Sequence, residues 1–225
     1  MKASKIIADI LGVPQIIPDT KYICLKINDT VKIGISVNPA SGFDPTKMNI
    51  TYITPNFQRD LTIMAVLDVV CYYHDHRPGN YFCIPDSSGN ISGICVLDND
   101  EPGAFTPSFS VRFSSYNNEA PLVTKKGFIN RPYLDHDTIA RLMETKDKDI
   151  AQALNAYLTN IELYALLIRV RRLRRAVLKS LQAGKIRLLH KNEWTLETMR
   201  EELSGTYGTT HLKFFADKFN AKITQ

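Results

Sequence analysis

Residues 61–73 form an apolar run that is followed at once by the polar string 74–80. Large apolar side chains occupy almost all sides of a helical projection of this run, so the pattern predicts a helix over residues 57–73 that is buried nearly all round. Asn56 precedes the helix and has a side chain suited to capping it. The sequence therefore predicts a polar loop that emerges directly from the core of a domain.

The remaining elements predict an α+β fold. A short amphipathic helix is expected at residues 4–11, followed by a pair of strands at residues 21–27 and 31–37. Two apolar runs around a turn-forming segment predict a hairpin over residues 81–97, directly after the polar loop. Asp135 is suited to cap the first helix of the last third. Four helices are expected there, at residues 135–145, 148–182, 196–203 and 210–220.

Composition places the chain among ordinary soluble proteins, because 44% of its residues are hydrophobic and 23% are charged. No run approaches the ~18 apolar residues of a membrane span, and the N-terminus does not read as a secretory signal. The four cysteines stand singly, Cys24 among them, and are expected to be buried and reduced. We therefore expect a reducing compartment, which is the cytoplasm or, for a bacterial effector, the inside of a host cell.

Three polar side chains from two segments are expected to converge. Asp75 precedes Asn80 by five residues in the polar loop, and the hairpin strand that rises from the core ends at Asp98. Phosphoryl transfer requires such a set, with one carboxylate to orient the attacking hydroxyl and a carboxylate and an amide to hold a metal ion. Arg77 adds a positive charge that can neutralise the transferred group, and Pro78-Gly79 tightens the turn.

These motifs resemble those of atypical kinases. The catalytic loop of phosphoinositide-kinase-like and atypical protein kinases is similar to His74-Asp75-His76-Arg77-Pro78-Gly79-Asn80-Tyr81, in which histidine and arginine stand in reversed order. The Ile-Asp-Asn-Gly metal motif of type II phosphatidylinositol 4-kinases is similar to Leu97-Asp98-Asn99-Asp100. Residues 3–20 resemble the helix and strand that lead to the hinge of HipA-like and actin-fragmin-type kinases. The similarity covers residues 3–105.

The resemblance implies a protein-kinase-like α+β fold. Its N-terminal lobe, residues 1–40, would be reduced, and its C-terminal lobe, residues 41–225, would be mainly α-helical. It also implies ATP and Mg²⁺ as ligands, with a protein or a phosphoinositide as the substrate that provides the hydroxyl.

Site roles follow from the resemblance residue by residue. Asp75 would be the catalytic carboxylate, Asn80 the amide on the metal side and Asp98 the principal metal ligand. Asp100 and His76 are second-rank candidates for the metal and for catalysis. Because the chain has no Gly-x-Gly run, the candidates for binding the nucleotide are three lysines of the predicted strand pair: Lys21, Lys26 and Lys32.

The first alternative function is non-catalytic binding by a pseudokinase or a kinase fragment. It would bind an acidic partner, such as a phosphoinositide headgroup or an acidic protein surface, through the basic run 169–175. Aromatic residues are not interleaved with this run, which argues against single-stranded nucleic acid. Its basic residues are Arg169, Arg171, Arg172, Arg174 and Arg175.

A metal-dependent hydrolase is the second alternative. It would use His74, His76 and Asp98 to hold zinc, iron or manganese. The sequence provides no third histidine near these residues. The other histidines lie far along the chain, at His136, His190 and His211.

Overall fold

A computed structural model of the chain describes residues 2–28, 30–47, 50–73, 76, 78–97, 105, 122–205 and 210–223. These residues form a mixed α+β fold, which confirms the predicted class. Within these ranges, no helix combines the length and the apolar character that crossing a membrane requires.

The helices of the described ranges are α1 (Lys2–Ile10), α2 (Pro55–Cys71), α3 (His136–Glu144), α4 (Asp147–Leu154), α5 (Asn160–Gln182), α6 (Leu196–Ser204) and α7 (His211–Phe219). The strands are β1 (Thr20–Ile27), β2 (Thr30–Val37), β3 (Tyr52–Ile53), β4 (Tyr81–Pro85), β5 (Ile91–Val96), β6 (Tyr133–Asp135), β7 (Arg187–Leu189) and β8 (Lys222–Ile223).

Helix α2 lies at the centre of the core, as its apolar pattern predicts. Every residue from position 61 to 71 is buried, including the charged Asp68. The helix begins at Pro55 and not after Asn56, because the fixed φ and missing N–H of proline suit the first turn of a helix. Tyr72 closes the helix in the left-handed conformation, with φ at 67°.

The predicted hairpin is present as the antiparallel pair β4–β5. β5 also pairs in parallel with β3, and β3 pairs in parallel with β8. Four alternating side chains of the hairpin are buried in the same core cluster as α2, so one face of the hairpin packs into that core. These side chains are Tyr81, Cys83, Ile94 and Val96. Elsewhere β6 pairs in parallel with β7, over a register that ends with Asp135 opposite Leu189.

The helix predicted over residues 148–182 is two helices, α4 and α5, so that prediction is wrong. The residues between them include Thr159, which begins α5 with a capping box. The carboxylate of Glu162 accepts a hydrogen bond from the Thr159 backbone N–H at 2.8 Å, and the Thr159 hydroxyl accepts from the Glu162 N–H. Such reciprocal bonds satisfy N–H groups at a helix start, so they favour a new helix at this point. The other predicted helices are confirmed, and Asp135 caps α3.

The β1–β2 pair has the predicted strands but not the expected burial. Strand alternation puts Tyr22, Cys24, Val31 and Ile33 on one face, and that face is exposed. Tyr22 is 60% exposed and Ile33 is 76% exposed. The expectation of a buried Cys24 is therefore wrong, because a two-stranded ribbon buries only the face that another element covers. The other three cysteines are buried, as expected.

Candidate functional site

The polar loop that follows α2 carries the predicted site. The structure describes His76 and Asn80 within it. Five residues of the phosphotransfer and hydrolase predictions lie outside the described residues: His74, Asp75, Arg77, Asp98 and Asp100. The structure describes the contacts of His76 with α2 and the hairpin contact at Asn80.

His76 anchors the middle of the loop to α2. Its side chain is 3% exposed, and its Nδ1 contacts the carboxylate of the buried Asp68. The imidazole also packs against the ring of Tyr73, with 4.8 Å between the ring centroids. Nε2 is buried and has no hydrogen-bond partner among the described residues. The contact of Nδ1 with Asp68 therefore ties this position of the loop to α2.

A buried polar network lies behind this His–Asp pair. The Arg131 guanidinium donates to Nδ1 of His211, and its Nη1 lies 3.8 Å from the Glu202 carboxylate. Gln58 of α2 donates to the same carboxylate at 2.7 Å. Burial, and next the charge of Arg131, lowers the pKa of His211 well below its ordinary value, with a smaller contribution from His76. The His211 ring is therefore neutral and can accept the hydrogen bond, so α2, α6 and α7 are tied together beneath the loop.

Two contacts with other helices hold the end of α2. The Tyr73 hydroxyl is hydrogen-bonded to the Ser4 hydroxyl of α1. The Arg169 guanidinium of α5 donates to the Val70 carbonyl oxygen from Nε at 3.1 Å and from Nη2 at 3.0 Å. Burial lowers the pKa of Arg169 to about 10, so the side chain stays charged at neutral pH. A cation at this position compensates the unpaired carbonyls at the end of a helix.

The hairpin places Asn80 beside the end of β5. The β4–β5 pairing sets Tyr81 opposite Val96. One step further, the backbone N–H of Leu97 donates to the carbonyl oxygen of Asn80 at 2.8 Å. The loop and the hairpin therefore meet at residues 80 and 97, and Asp98 is the next residue in the sequence.

The three candidate nucleotide-binding lysines lie on the exposed β1–β2 pair. Lys21 and Lys32 are on one face of the ribbon, because Lys32 pairs with Leu25 and Lys21 with Ser36. Strand alternation puts Lys26 on the opposite face. The ribbon therefore separates Lys26 from the other two lysines.

Lys5 of α1 is a buried lysine that the sequence did not reveal. Its Nζ donates to the carbonyl oxygens of Pro14 at 2.6 Å and of Ile17 at 3.3 Å. The same Nζ lies 3.1 Å from the carboxylate of Asp19. A lone lysine in a short amphipathic helix is typical of a solvated face, so no sequence signal marked it.

Lys5 lines a pocket of about 500 Å³. Residues 14–15, 17–19 and 38–41 supply most of its wall, and Ile84 and Cys95 supply the rest from the outer face of the hairpin. The pocket therefore lies between the N-terminal segment and the strand that leads toward Asp98.

A larger pocket of about 610 Å³ lies elsewhere, along residues 124–130 and 184–185. The ammonium groups of Lys179 and Lys185 lie over the ring of Phe128 there, at 4.2 and 3.8 Å from its centroid. Among the described residues, its wall contains none of the polar loop or the hairpin, so we do not include this pocket in the candidate site.

The basic run 169–175 is partly used inside the fold. Arg169 is buried against α2, as described above. Arg174 Nη1 lies 2.7 Å from one carboxylate oxygen of Asp147, and Arg171 Nε lies 2.5 Å from the other. These contacts join α5 to α4 and leave less of the run for an outside partner.

His136 and His190 come together in the structure although they are far apart in sequence. The carboxylate of Asp137 lies close to both of them, and the three residues are a group of potential metal ligands. The residue spacing carried no signal of this cluster, because it depends on the parallel pairing of β6 with β7.

No protein-family model matches the chain, and no curated protein matches it either. Since a fold class does not by itself determine a reaction, the function has to be argued from the site.

Proposed function

We propose that this chain is a phosphotransferase that uses ATP and Mg²⁺ to phosphorylate a hydroxyl group of a protein or a lipid. The hydrogen bond from Leu97 N–H to the Asn80 carbonyl oxygen carries the proposal. Asp98 follows Leu97 directly in the sequence, so the proposal brings its carboxylate to the metal ion from the end of the hairpin. A carboxylate and an amide can therefore be brought to one metal ion.

The order of elements supports a kinase-like arrangement. A buried helix, a polar loop and a hairpin follow one another as the resemblance implies, with residues 1–40 as the reduced lobe and residues 41–225 as the larger one. The 500 Å³ pocket lined by Lys5 lies between these two parts. Its volume is within the range of about 300–1,000 Å³ that is usual for small-molecule sites, and we place the nucleotide there.

Each residue has a defined task in this proposal. Asp98 and Asn80 hold the metal ion, and carboxylate and amide oxygens are the ligands that Mg²⁺ prefers. Asp75 orients the acceptor hydroxyl, and Arg77 neutralises charge on the transferred group. Asp100 is a further metal ligand. His76 holds the loop through Asp68 and does not react.

Two substitutions test the proposal. Asp98→Asn should lower phosphate transfer from ATP at least about a hundredfold, and it should abolish the rise in melting temperature that ATP with Mg²⁺ gives the parent protein. Asp75→Asn should lower transfer similarly but keep the rise in melting temperature, because it leaves the metal ligands intact. Transfer is measured to a protein acceptor and to vesicles that contain phosphatidylinositol, which separates the two acceptor classes.

Asp149→Asn is the matched control, because Asp149 is an exposed residue in the first turn of α4. This variant should behave like the parent protein. If Asp98→Asn and Asp75→Asn both turned over ATP as fast as the parent protein, the assigned roles would be wrong. A parent protein that does not respond to ATP would favour the pseudokinase, and bound metal that His74→Ala removes would favour the hydrolase.

A further inference from the structure

Two parallel strands deliver His136 and His190 to the same edge of a sheet. β6 and β7 pair with Asp135 opposite Leu189, so the next residues of the two strands are these histidines. Parallel strands end on the same side of their sheet, which brings side chains that follow them close together. The neighbouring position in α3 is Asp137.

The geometry of these three side chains is that of a small ligand set. The two imidazole rings are 3.8 Å apart between centroids. The carboxylate of Asp137 lies 3.0 Å from Nδ1 of His136 and 3.7 Å from Nδ1 of His190. One ligand atom from each residue lies within 4.8 Å of the others. A tetrahedral zinc ion with bonds of about 2.0–2.2 Å separates its ligand atoms by roughly 3.3 Å, so small side-chain rotations suffice to bind one.

The backbone that carries the cluster is firmly held. Asp135 caps α3 by accepting from the Thr138 N–H at 2.9 Å, and it also accepts from Nε of Arg59 at 2.6 Å. The backbone N–H of His190 donates to the Glu193 carboxylate at 2.6 Å. Ligands attached to fixed backbone lose little freedom when they bind an ion.

We propose that His136, Asp137 and His190 form a binding site for one divalent transition-metal ion, for which Zn²⁺ is the test ion. Two imidazoles and one carboxylate suit zinc, iron or manganese better than Mg²⁺ or Ca²⁺, which prefer all-oxygen sites. The side chains of His190 and Asp137 are 55% and 61% exposed, so the ion is accessible and keeps a coordination position for water. Asp137 also borders a pocket of about 450 Å³ whose wall includes Arg59 and Arg141. None of these three residues is among the proposed phosphotransfer residues.

Calorimetric titration with Zn²⁺ tests the proposal on the full chain after treatment with a chelator. The Cys24→Ser background removes the exposed thiol, which is a competing zinc ligand. We expect one ion per chain. His136→Ala and His190→Ala should each weaken binding by more than about tenfold, since changes outside the ligand set already cost that much. Asp137→Asn should weaken it less, because the amide retains an oxygen.

Lys191→Ala is the matched control, since it alters an exposed side chain next to His190 without removing a ligand. It should bind Zn²⁺ at least as tightly as the Cys24→Ser parent. In NMR spectra, zinc should shift the ring signals of His136 and His190 among the five histidines. Absence of binding would overturn the proposal, and so would binding that survives the double His136→Ala, His190→Ala change. Asp98→Asn should leave zinc binding unchanged, so this site and the phosphotransfer proposal can fail independently.

Discussion

In the described part of the chain, two histidine–aspartate groups lie in opposite environments. His76 and Asp68 meet inside the core, where both side chains are almost fully buried. His136, Asp137 and His190 meet at the surface, where each side chain is at least 37% exposed. The same pair of residue types thus fixes a loop in one place and offers ligands in the other. Solvent access, and not residue type, distinguishes an anchor from a binding site.

The buried group depends on its partner far more than the exposed group does. A polar side chain in the core gives up its hydration, and an imidazole left there without a partner costs the free energy of that lost hydration. At the surface, water replaces a lost partner and screens the remaining charge. Stability should therefore respond strongly to changes at Asp68 and weakly to changes at Asp137.

The largest effect should come from Asp68→Ala. This change leaves Nδ1 of His76 buried and without its partner, so the free energy of unfolding should fall by about 3–5 kcal/mol, as when one member of a buried pair is removed. Urea denaturation followed by circular dichroism measures the loss. Asp68→Asn keeps an oxygen that can meet the imidazole and should lose less.

Asp137→Ala serves as the surface counterpart to this measurement. Its free energy of unfolding should stay within about 0.5 kcal/mol of the parent in the absence of metal. Equal losses for Asp68→Ala and Asp137→Ala would contradict the distinction between the two groups.

A second contrast concerns two carboxyl groups with opposite pKa shifts. Burial raises the pKa of Asp60 to about 7, although the nearby Arg59 opposes the shift. The hydrogen bond with His136 lowers the pKa of the exposed Asp137. Because folded Asp60 holds its proton up to about pH 7 while the unfolded chain loses it near pH 4, its contribution to stability falls as pH rises between these values.

Asp60→Asn should remove this part of the pH dependence. The neutral amide can still accept from the Ile94 N–H, which lies 3.3 Å from the Asp60 carboxylate. At pH 8 the variant should be more stable than the parent by about 1–4 kcal/mol, and at pH 4 the two should be close. Unfolding free energies at a series of pH values measure the difference. Asp217→Asn, an exposed change in α7, should keep the slope of the parent, and an unchanged slope in Asp60→Asn would show that its carboxyl is solvated.

The sequence predicted the elements whose signals are local. The run 61–73 contained enough apolar residues to predict a buried helix, and the two hairpins were visible from alternation and turn residues. The break between α4 and α5 was missed because Thr159 and Glu162 stand inside a pattern that continues as a helix on both sides. Local patterns thus indicate which segments are helical more reliably than where one helix ends.

In the candidate site, too, local contacts were predictable and contacts between distant segments were not. The meeting of residues 80 and 97 follows from hairpin pairing within one short segment, and the sequence predicted that hairpin. The interaction of His76 with His211 brings in α7, which comes much later in the chain, and the cluster at His136 depends on pairing with β7. No spacing rule contains such contacts, because they exist only once distant segments have packed.

The smallest effect should come from the exposed histidines in the absence of metal. Because water replaces what His136→Ala and His190→Ala remove, each variant should unfold within about 0.5 kcal/mol of the parent. Adding Zn²⁺ at a hundred times its dissociation constant should then stabilise the parent by about 2.7 kcal/mol and these variants much less, since the ion binds the folded chain. Thermal unfolding with and without the ion measures both quantities. If the parent gained no stability from zinc, or if the variants gained as much as the parent, then His136 and His190 would be ordinary solvated side chains and not metal ligands.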